Sequence, residues 1–185
     1  DFCLSRGLGD VYKRQLLDGL TVRAQRIQAV NTIKNEAGKL IGDSTDGAGV
    51  FQDLLHQGLN LVDKHVMVLG AGGAGKAIIA AALDYGVASV TVFKRNNERY
   101  AGVQHWLEQL STTTSVPLRL CAYEDQVRMQ QVARTSDLII NATNIGMTTA
   151  GTPLPISIIQ QLVPQQTVYD LSLIHISEPT RQAEI

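Results

Sequence analysis

Cysteine is almost absent from this chain. Its 185 residues include only Cys3 and Cys121, too few for a disulfide framework and without the close spacing of a metal site. An excess of either charge is missing too: 16 Lys and Arg stand against 17 Asp and Glu, so no general field draws the protein toward nucleic acid or a membrane. No apolar run is long enough to cross a bilayer, and no signal peptide is recognisable. These absences lead to the expectation of a cytoplasmic protein without a metal site. What the chain does have is apolar material. Hydrophobic residues make up 44%, enough to build one domain and part of another.

The most informative stretch is His65-Val66-Met67-Val68-Leu69, which rises into Gly70-Ala71-Gly72-Gly73-Ala74-Gly75-Lys76 and then a small apolar run to Leu83. Gly70, Gly72 and Gly75 have the spacing of the strand–turn–helix that opens a dinucleotide-binding unit. In that reading Gly70 permits a tight turn, Gly72 lets backbone approach a pyrophosphate, and Gly75 packs helix on strand. The helix N-terminus then offers free N–H groups to an anion. The other reading of such glycines is a structural turn.

The two ends read differently from the rest. Residues 1–15 have neither helical nor strand periodicity, and residues 172–185 are equally irregular. The segments Asp10–Gln15 and Leu171–Arg181 resemble opposite-strand readings of a transposon-end sequencing adapter. They are therefore expected to be a non-native leader and tail flanking a fragment of a longer protein.

Between them the chain alternates. Thr21 opens a short helix with Val22, Ala24 and Ile27 as its apolar face; residues 29–33 form a strand, 35–39 a turn and 40–42 a short strand. Val50/Leu54 and Phe51/Leu55 repeat at helical spacing up to Gly58, with Asp46 at the helix start as an N-cap. Strand 65–69 and helix 74–85 are followed by strand 88–95. A helix over 99–110 turns Val103, Trp106, Leu107 and Leu110 inward. Strand 118–122 includes Cys121 as a small core residue, and a polar helix over 124–134 centres on Val127 and Val132. Strand 137–143, a loop at 144–147, a helix over 153–163 and a strand from 167 complete the series. This alternation implies an α/β fold, a doubly wound parallel (Rossmann) sheet. The division expected is 16–46 as the tail end of an N-terminal substrate domain and 47–171 as the nucleotide domain, lacking its last strand and C-terminal helices.

NAD-binding folds place an acid about 20 residues after the glycines. Here that region reads Phe93-Lys94-Arg95-Asn96-Asn97-Glu98-Arg99. Lys94, Arg95 and Arg99 suit a 2′-phosphate, because guanidinium groups offer paired donors. NADP is therefore expected over NAD, the alternative being a solvated run of charges.

Three pieces together resemble the shikimate dehydrogenase family, including its quinate/shikimate branch. They are Ala29-Val30-Asn31-Thr32, then Ser44-Thr45-Asp46-Gly47, then Gly70-Ala71-Gly72-Gly73-Ala74; Asn141-Ala142-Thr143-Asn144-Ile145-Gly146-Met147 is similar to the family's Asn-Ala-Thr-x-x-Gly-Met loop. The resemblance covers residues 16–171. It implies NADPH-dependent, reversible reduction of 3-dehydroshikimate to shikimate in chorismate and aromatic amino-acid biosynthesis, with quinate a further candidate substrate. It also implies a monomer or homodimer that binds neither nucleic acid nor membrane. By this resemblance Asp46 is catalytic as well as a possible cap, and Asn31 and Asp46 hold substrate hydroxyls. Gly70, Ala71, Gly72, Gly73 and Ala74 cradle the cofactor. Lys94, Arg95, Arg99, Asn141, Thr143 and Met147 complete the cofactor set.

The departures concern the catalytic half. The family carries its lysine in an Asn-Val-Thr-x-Pro-x-Lys segment shortly before a Leu-Asp-x-Leu, seen here as Leu17-Asp18-Gly19-Leu20. The adapter-like leader occupies that place, and Lys13 does not match. The family's C-terminal segment after Asp170-Leu171, with its Tyr-x-Pro and its glutamine, is not matched either. The fragment by itself is therefore expected to be inactive. The competing readings are a non-catalytic NADP-binding module and another Rossmann reductase, such as a glutamyl-tRNA reductase or a methylene-tetrahydrofolate dehydrogenase.

Overall fold

The computed structural model describes residues 16–145 and 151–171. The expectations for the leader, the tail, Lys13 and Met147 lie outside the described residues.

The first described segment is a small three-stranded sheet, in order β1-β3-β2. β1 (Gly19–Leu20) runs parallel to β3 (Lys39–Asp43), and β2 (Thr32–Glu36) runs antiparallel to it. The strand expected at 29–33 begins instead at Thr32 and runs to Glu36. The cause is a two-residue turn: Ala37 and Gly38 both have positive φ, 51° and 86°, the twist that lets a hairpin close tightly. Pairing thus continues to Glu36 opposite Lys39, and the Asn35 side chain accepts from the Gly38 amide at 2.9 Å. Val30, ahead of the strand, is buried.

Between β1 and β2 lies α1 (Val22–Ile27), whose N-cap Thr21 accepts from the Ala24 amide. That cap sets the phase of the helix. Ala24 and Ile27 turn inward, while Val22 is 75% exposed, against the expectation that it shares the apolar face. α2 (Asp46–His56) buries Val50, Phe51 and Leu54, whereas Leu55 is partly exposed. Its N-cap is Thr45, so Asp46 is the first helical residue and not the cap. Gly58, at φ 83°, ends it: the amides of Gly58 and Leu59 return to the carbonyls of Leu55 and Leu54, which satisfies two otherwise unpaired groups.

The remaining chain builds a five-stranded, all-parallel sheet in the order β6-β5-β4-β7-β8. Its strands are β4 (His65–Leu69), β5 (Ser89–Lys94), β6 (Leu118–Ala122), β7 (Leu138–Asn141) and β8 (Thr167–Asp170). This is the doubly wound Rossmann arrangement, with the first strand central. Because successive side chains alternate across a strand, Val66 and Val68 join Val90 and Val92 on one face. There they pack against α2, α3 (Gly73–Ala82) and α4 (Tyr100–Ser111). Met67, Leu69, Phe93 and Ile139 face the other way, onto α5 (Gln126–Thr135) and α6 (Ile156–Ile159). Both faces are covered, hence the continuous apolar character of these strands.

Two helix expectations need correcting. The Asp125 side chain caps the Arg128 amide at 2.9 Å, which phases α5 so that Met129 and Ala133 are buried and Val127 is 70% exposed. The helix expected over 153–163 shortens to Ile156–Ile159. Beyond it the amides of Gln161 and Leu162 bond three residues back, to Ile158 and Ile159, as tight turns.

Helices α2 and α3 meet at backbone distance. A Cβ added to Gly47 would lie 2.1 Å from the Ala77 carbonyl oxygen, so no side chain fits between them. One turn along, Phe51 stacks on Tyr85 with ring centroids 5.0 Å apart. Burying a ring of this size contributes about 1.5–3 kcal/mol. α1 is fastened to the same layer, since Ile27 is in its core and Trp106 Nε1 donates to the Arg26 carbonyl at 3.0 Å.

Candidate functional site

The carboxyl ends of β4, β5 and β7 converge, and this is where open parallel sheets bind ligands. Gly70, with φ 95°, turns the chain out of β4 while its amide still bonds to the Phe93 carbonyl at 2.8 Å. Gly75 sits against it: an added Cβ would be 2.4 Å from the Gly70 carbonyl oxygen. The turn therefore closes only with glycine at that point. At Gly72, the N-cap of α3, and at Gly73 an added Cβ meets nothing within 4 Å. Those two positions look outward, and the backbone there is open to a ligand. Ala71 and Ala74 are partly buried beside them.

At the end of β5, Lys94 Nζ donates to Asn97 Oδ1 at 2.8 Å. The same oxygen accepts the Arg99 amide at 3.2 Å, and Arg99 is the N-cap of α4. Arg95 and Arg99 are exposed. Partial burial, then the neighbouring Arg95 and Arg99 charges, hold the Lys94 ammonium below its ordinary range, with Glu124 opposing them. The three cations expected to act together thus share one loop and one field.

At the end of β7, Asn141 is buried and its side chain is engaged at both atoms. Oδ1 accepts from the Thr143 amide and hydroxyl at 3.0 and 2.7 Å, and Nδ2 donates to Asp170 Oδ1 at 3.0 Å. Asn141 therefore shapes the loop and ties it to β8. Thr143 Oγ1 accepts in turn from the Ile145 amide.

Asn31 and Asp46, 15 positions apart in sequence, are directly bonded: the Asn31 amide donates to the Asp46 carboxylate. Asn31 Oδ1 also accepts the Thr45 amide at 3.0 Å and the Thr32 hydroxyl at 2.9 Å. Both side chains are exposed. Among the described residues Asp46 takes part in no ion pair, nor does any group of three or more His, Cys, Asp and Glu converge as a metal site.

Sequence reasoning overlooked several contributors. Asp43, whose backbone carbonyl accepts the Asn31 backbone amide at 3.0 Å, binds Arg23 at 2.6 Å and Thr21 at 2.7 Å through its carboxylate. Its pKa is held down at about 2 by the Arg23 hydrogen bond first, then by Thr21 and the Ser44 amide, against the opposing effect of burial. Lys76 lies 4.9 Å above the Trp106 ring, and burial lowers its pKa. Gly47, which follows Asp46 in the Ser44–Gly47 stretch, seats α2 on α3. A small residue between a helix-starting Asp and an apolar run was the available signal.

A cleft of about 440 Å³, lined among others by His65, Ser89, Pro117, Arg119 and Ser136, lies at the amino ends of the strands. It is at the opposite end of the sheet from the glycine loop and does not include any expected site residue.

Residues 52–174 match the family model described as alanine dehydrogenase/PNT, C-terminal domain. A shikimate dehydrogenase (NADP(+)) of Latilactobacillus sakei is 45% identical over 157 residues, covering 84% of this chain and 54% of that protein. The corresponding protein of Lactococcus lactis is 37% identical over 151 residues, covering 82% of this chain and 52% of that protein. Among solved structures, a shikimate 5-dehydrogenase of Listeria monocytogenes in complex with shikimate and NAD superposes with a TM-score of 0.83 at 29% identity, covering 96% of this chain and 62% of that one. The Thermus thermophilus enzyme in complex with NADP(H) and shikimate gives 0.69 at 30% identity, covering 88% and 55%. The chain spans about half the length of the curated relatives it matches. With residues 52–174 of the alanine dehydrogenase/PNT C-terminal type, the chain belongs to the shikimate dehydrogenase family.

Proposed function

We propose that this chain is the cofactor-binding part, with a portion of the substrate-binding part, of an NADP-dependent dehydrogenase that interconverts 3-dehydroshikimate and shikimate. The observation that carries the reading is the seating of Gly47 against Ala77. It brings the exposed Asn31–Asp46 pair beside the first turns of α3, the helix that the glycine loop opens. In this reading residues 16–46 are the remnant of the substrate domain and 47–171 form the cofactor domain.

The open backbone at Gly72 and Gly73 fits a pyrophosphate at the N-terminus of α3, where unpaired amides and the helix dipole favour an anion. Gly70, Ala71 and Ala74 hold that turn in shape. Lys94, Arg95 and Arg99 fit a 2′-phosphate as charge-assisted donors. Asn141 and Thr143 set the loop beside it, and Met147 is assigned to the nicotinamide side. When bound, the nicotinamide supplies or accepts the hydride. The chain's own part is orientation: Asn31 and Asp46 receive substrate hydroxyls, already held toward each other by their mutual hydrogen bond. Asp46 is the residue assigned to hold a catalytic lysine in position.

No described helix is long and apolar enough to cross a membrane, and a cytoplasmic monomer or homodimer is the proposed state. Titration of the chain with NADPH, followed by its fluorescence, is expected to show saturable binding stronger than that of NADH. A full-length protein bearing this segment is expected to reduce 3-dehydroshikimate, with quinate oxidation measured alongside. Saturable binding with no turnover of any cyclohexene acid by the full-length protein would replace this reading with that of a non-catalytic NADP-binding module.

A further inference from the structure

Rossmann sheets that take NAD carry an acid at the end of their second strand. Here β5 ends in Lys94 and continues into Arg95, yet a carboxylate still reaches this loop from a different element. Glu124, in the turn between β6 and α5, accepts the backbone amide of Asn96 with its two oxygens at 3.3 and 3.2 Å. Asn96 lies between the cations of the loop, directly after Lys94 and Arg95 and ahead of Arg99. Its amide is a donor of the kind an incoming phosphate would use, and Glu124 already occupies it.

We propose that Glu124 sets how strongly this loop prefers a 2′-phosphate over a free 2′-hydroxyl. The proposal rests on the reading of Lys94–Arg99 as the cofactor loop. Two effects act in the same direction. The carboxylate competes with phosphate for the Asn96 amide, and its negative charge offsets part of the field of Lys94, Arg95 and Arg99 at the place where a phosphate would sit. A cofactor with a plain ribose carries no charge at that point, so Glu124 costs it nothing and can accept its hydroxyl. The consequence is a mild preference rather than a strict one. An acid contributed from beyond β6 thus does at a distance what the strand-end acid does in NAD-specific folds.

The test uses the 185-residue chain and two small probes, 2′,5′-ADP and 5′-AMP, with Kd measured by calorimetry for the unaltered chain, Glu124→Gln and Glu124→Ala. Glu124→Gln keeps an acceptor for the Asn96 amide but removes the charge. It is expected to tighten 2′,5′-ADP by about three- to tenfold with 5′-AMP essentially unchanged, and to lose much of that gain in concentrated salt. Glu124→Ala, which also frees the amide, is expected to tighten 2′,5′-ADP at least as much. An unchanged ratio of the two Kd values in both variants, or weaker binding of both ligands, overturns the proposal and leaves Glu124 as a brace for the loop. If neither probe binds any of the three proteins, the cofactor reading falls and this proposal falls with it.

Discussion

Gly47 of α2 stands so close to Ala77 of α3 that an added Cβ would lie 2.1 Å from the Ala77 carbonyl oxygen and 2.8 Å from the Ala81 Cβ. Both obstacles are rigid, one a backbone atom and the other a stem carbon, so a side chain at position 47 must push the helices apart. Gly47→Ala is expected to cost about 2–4 kcal/mol, at or above the usual range for overpacking, read as a lowered urea midpoint. Gly49, two residues on, is the control. It is exposed, and an added Cβ there meets nothing within 4 Å. Gly49→Ala should be neutral or stabilise by up to about 1 kcal/mol, as expected for glycine replaced within a helix.

The glycine loop separates folding from binding in the same way. Gly75→Ala places a Cβ 2.4 Å from the Gly70 carbonyl oxygen and is expected to destabilise the fold by about 1–3 kcal/mol. Gly72→Ala has open space and an ordinary φ of −76°. It should leave the unfolding midpoint nearly unchanged while, on the proposed reading of this turn as the pyrophosphate cradle, weakening NADPH binding by about tenfold or more, since the added methyl would keep the pyrophosphate from the loop backbone. Chemical denaturation and nucleotide titration of the two variants, side by side, check both halves.

Asp43 gives the fold a defined acid sensitivity. Its pKa falls from 3.8 to about 2 in the folded chain because of Arg23. A lowered carboxylate pKa adds stability that is complete above the unfolded value, near pH 4, and disappears as the pH falls toward 2. Arg23 is partly open to water, so screening reduces the effect to about 1–2 kcal/mol. Asp43→Asn should lower stability by that amount at pH 7, and the difference from the unaltered chain should vanish near pH 2. Unfolding free energies measured across that window test it.

Trp106, on α4, ties that helix to α1 by a hydrogen bond and to α3 by the Lys76 cation above its ring. Trp106→Phe keeps a ring under Lys76 but removes the donor to the Arg26 carbonyl. The expected cost is about 1–2 kcal/mol, from a lost hydrogen bond and a weaker cation–π contact. Amide exchange of residues 22–28 should accelerate more than that of β4, because the bond lost is local to α1.

How much of this was legible in the chain depends on the range of the interaction. The order of strands and helices from His65 to Asp170, and the inward face of α4, followed from local patterning. The glycine spacing pointed correctly to a tight turn between β4 and α3. Those features depend on residues a few positions apart, where backbone sterics and hydrophobic periodicity decide. The errors arose where a cap or turn set the phase, as at Val22, Val127 and the Thr32–Glu36 strand. One hydrogen bond at a helix start rotates every later side chain, and composition does not reveal which residue makes it.

By itself, then, the sequence determined the alternating fold, the glycine turn and the run of cations after β5, because each is written in neighbouring residues. Only the tertiary structure decided that Gly47 seats α2 on α3, that Asn31 reaches Asp46, that Asp43 answers to Arg23 and that Glu124 returns a negative charge to the cation loop. Each of these joins segments whose approach is set by the packing of the whole core, and no local preference of the chain encodes it.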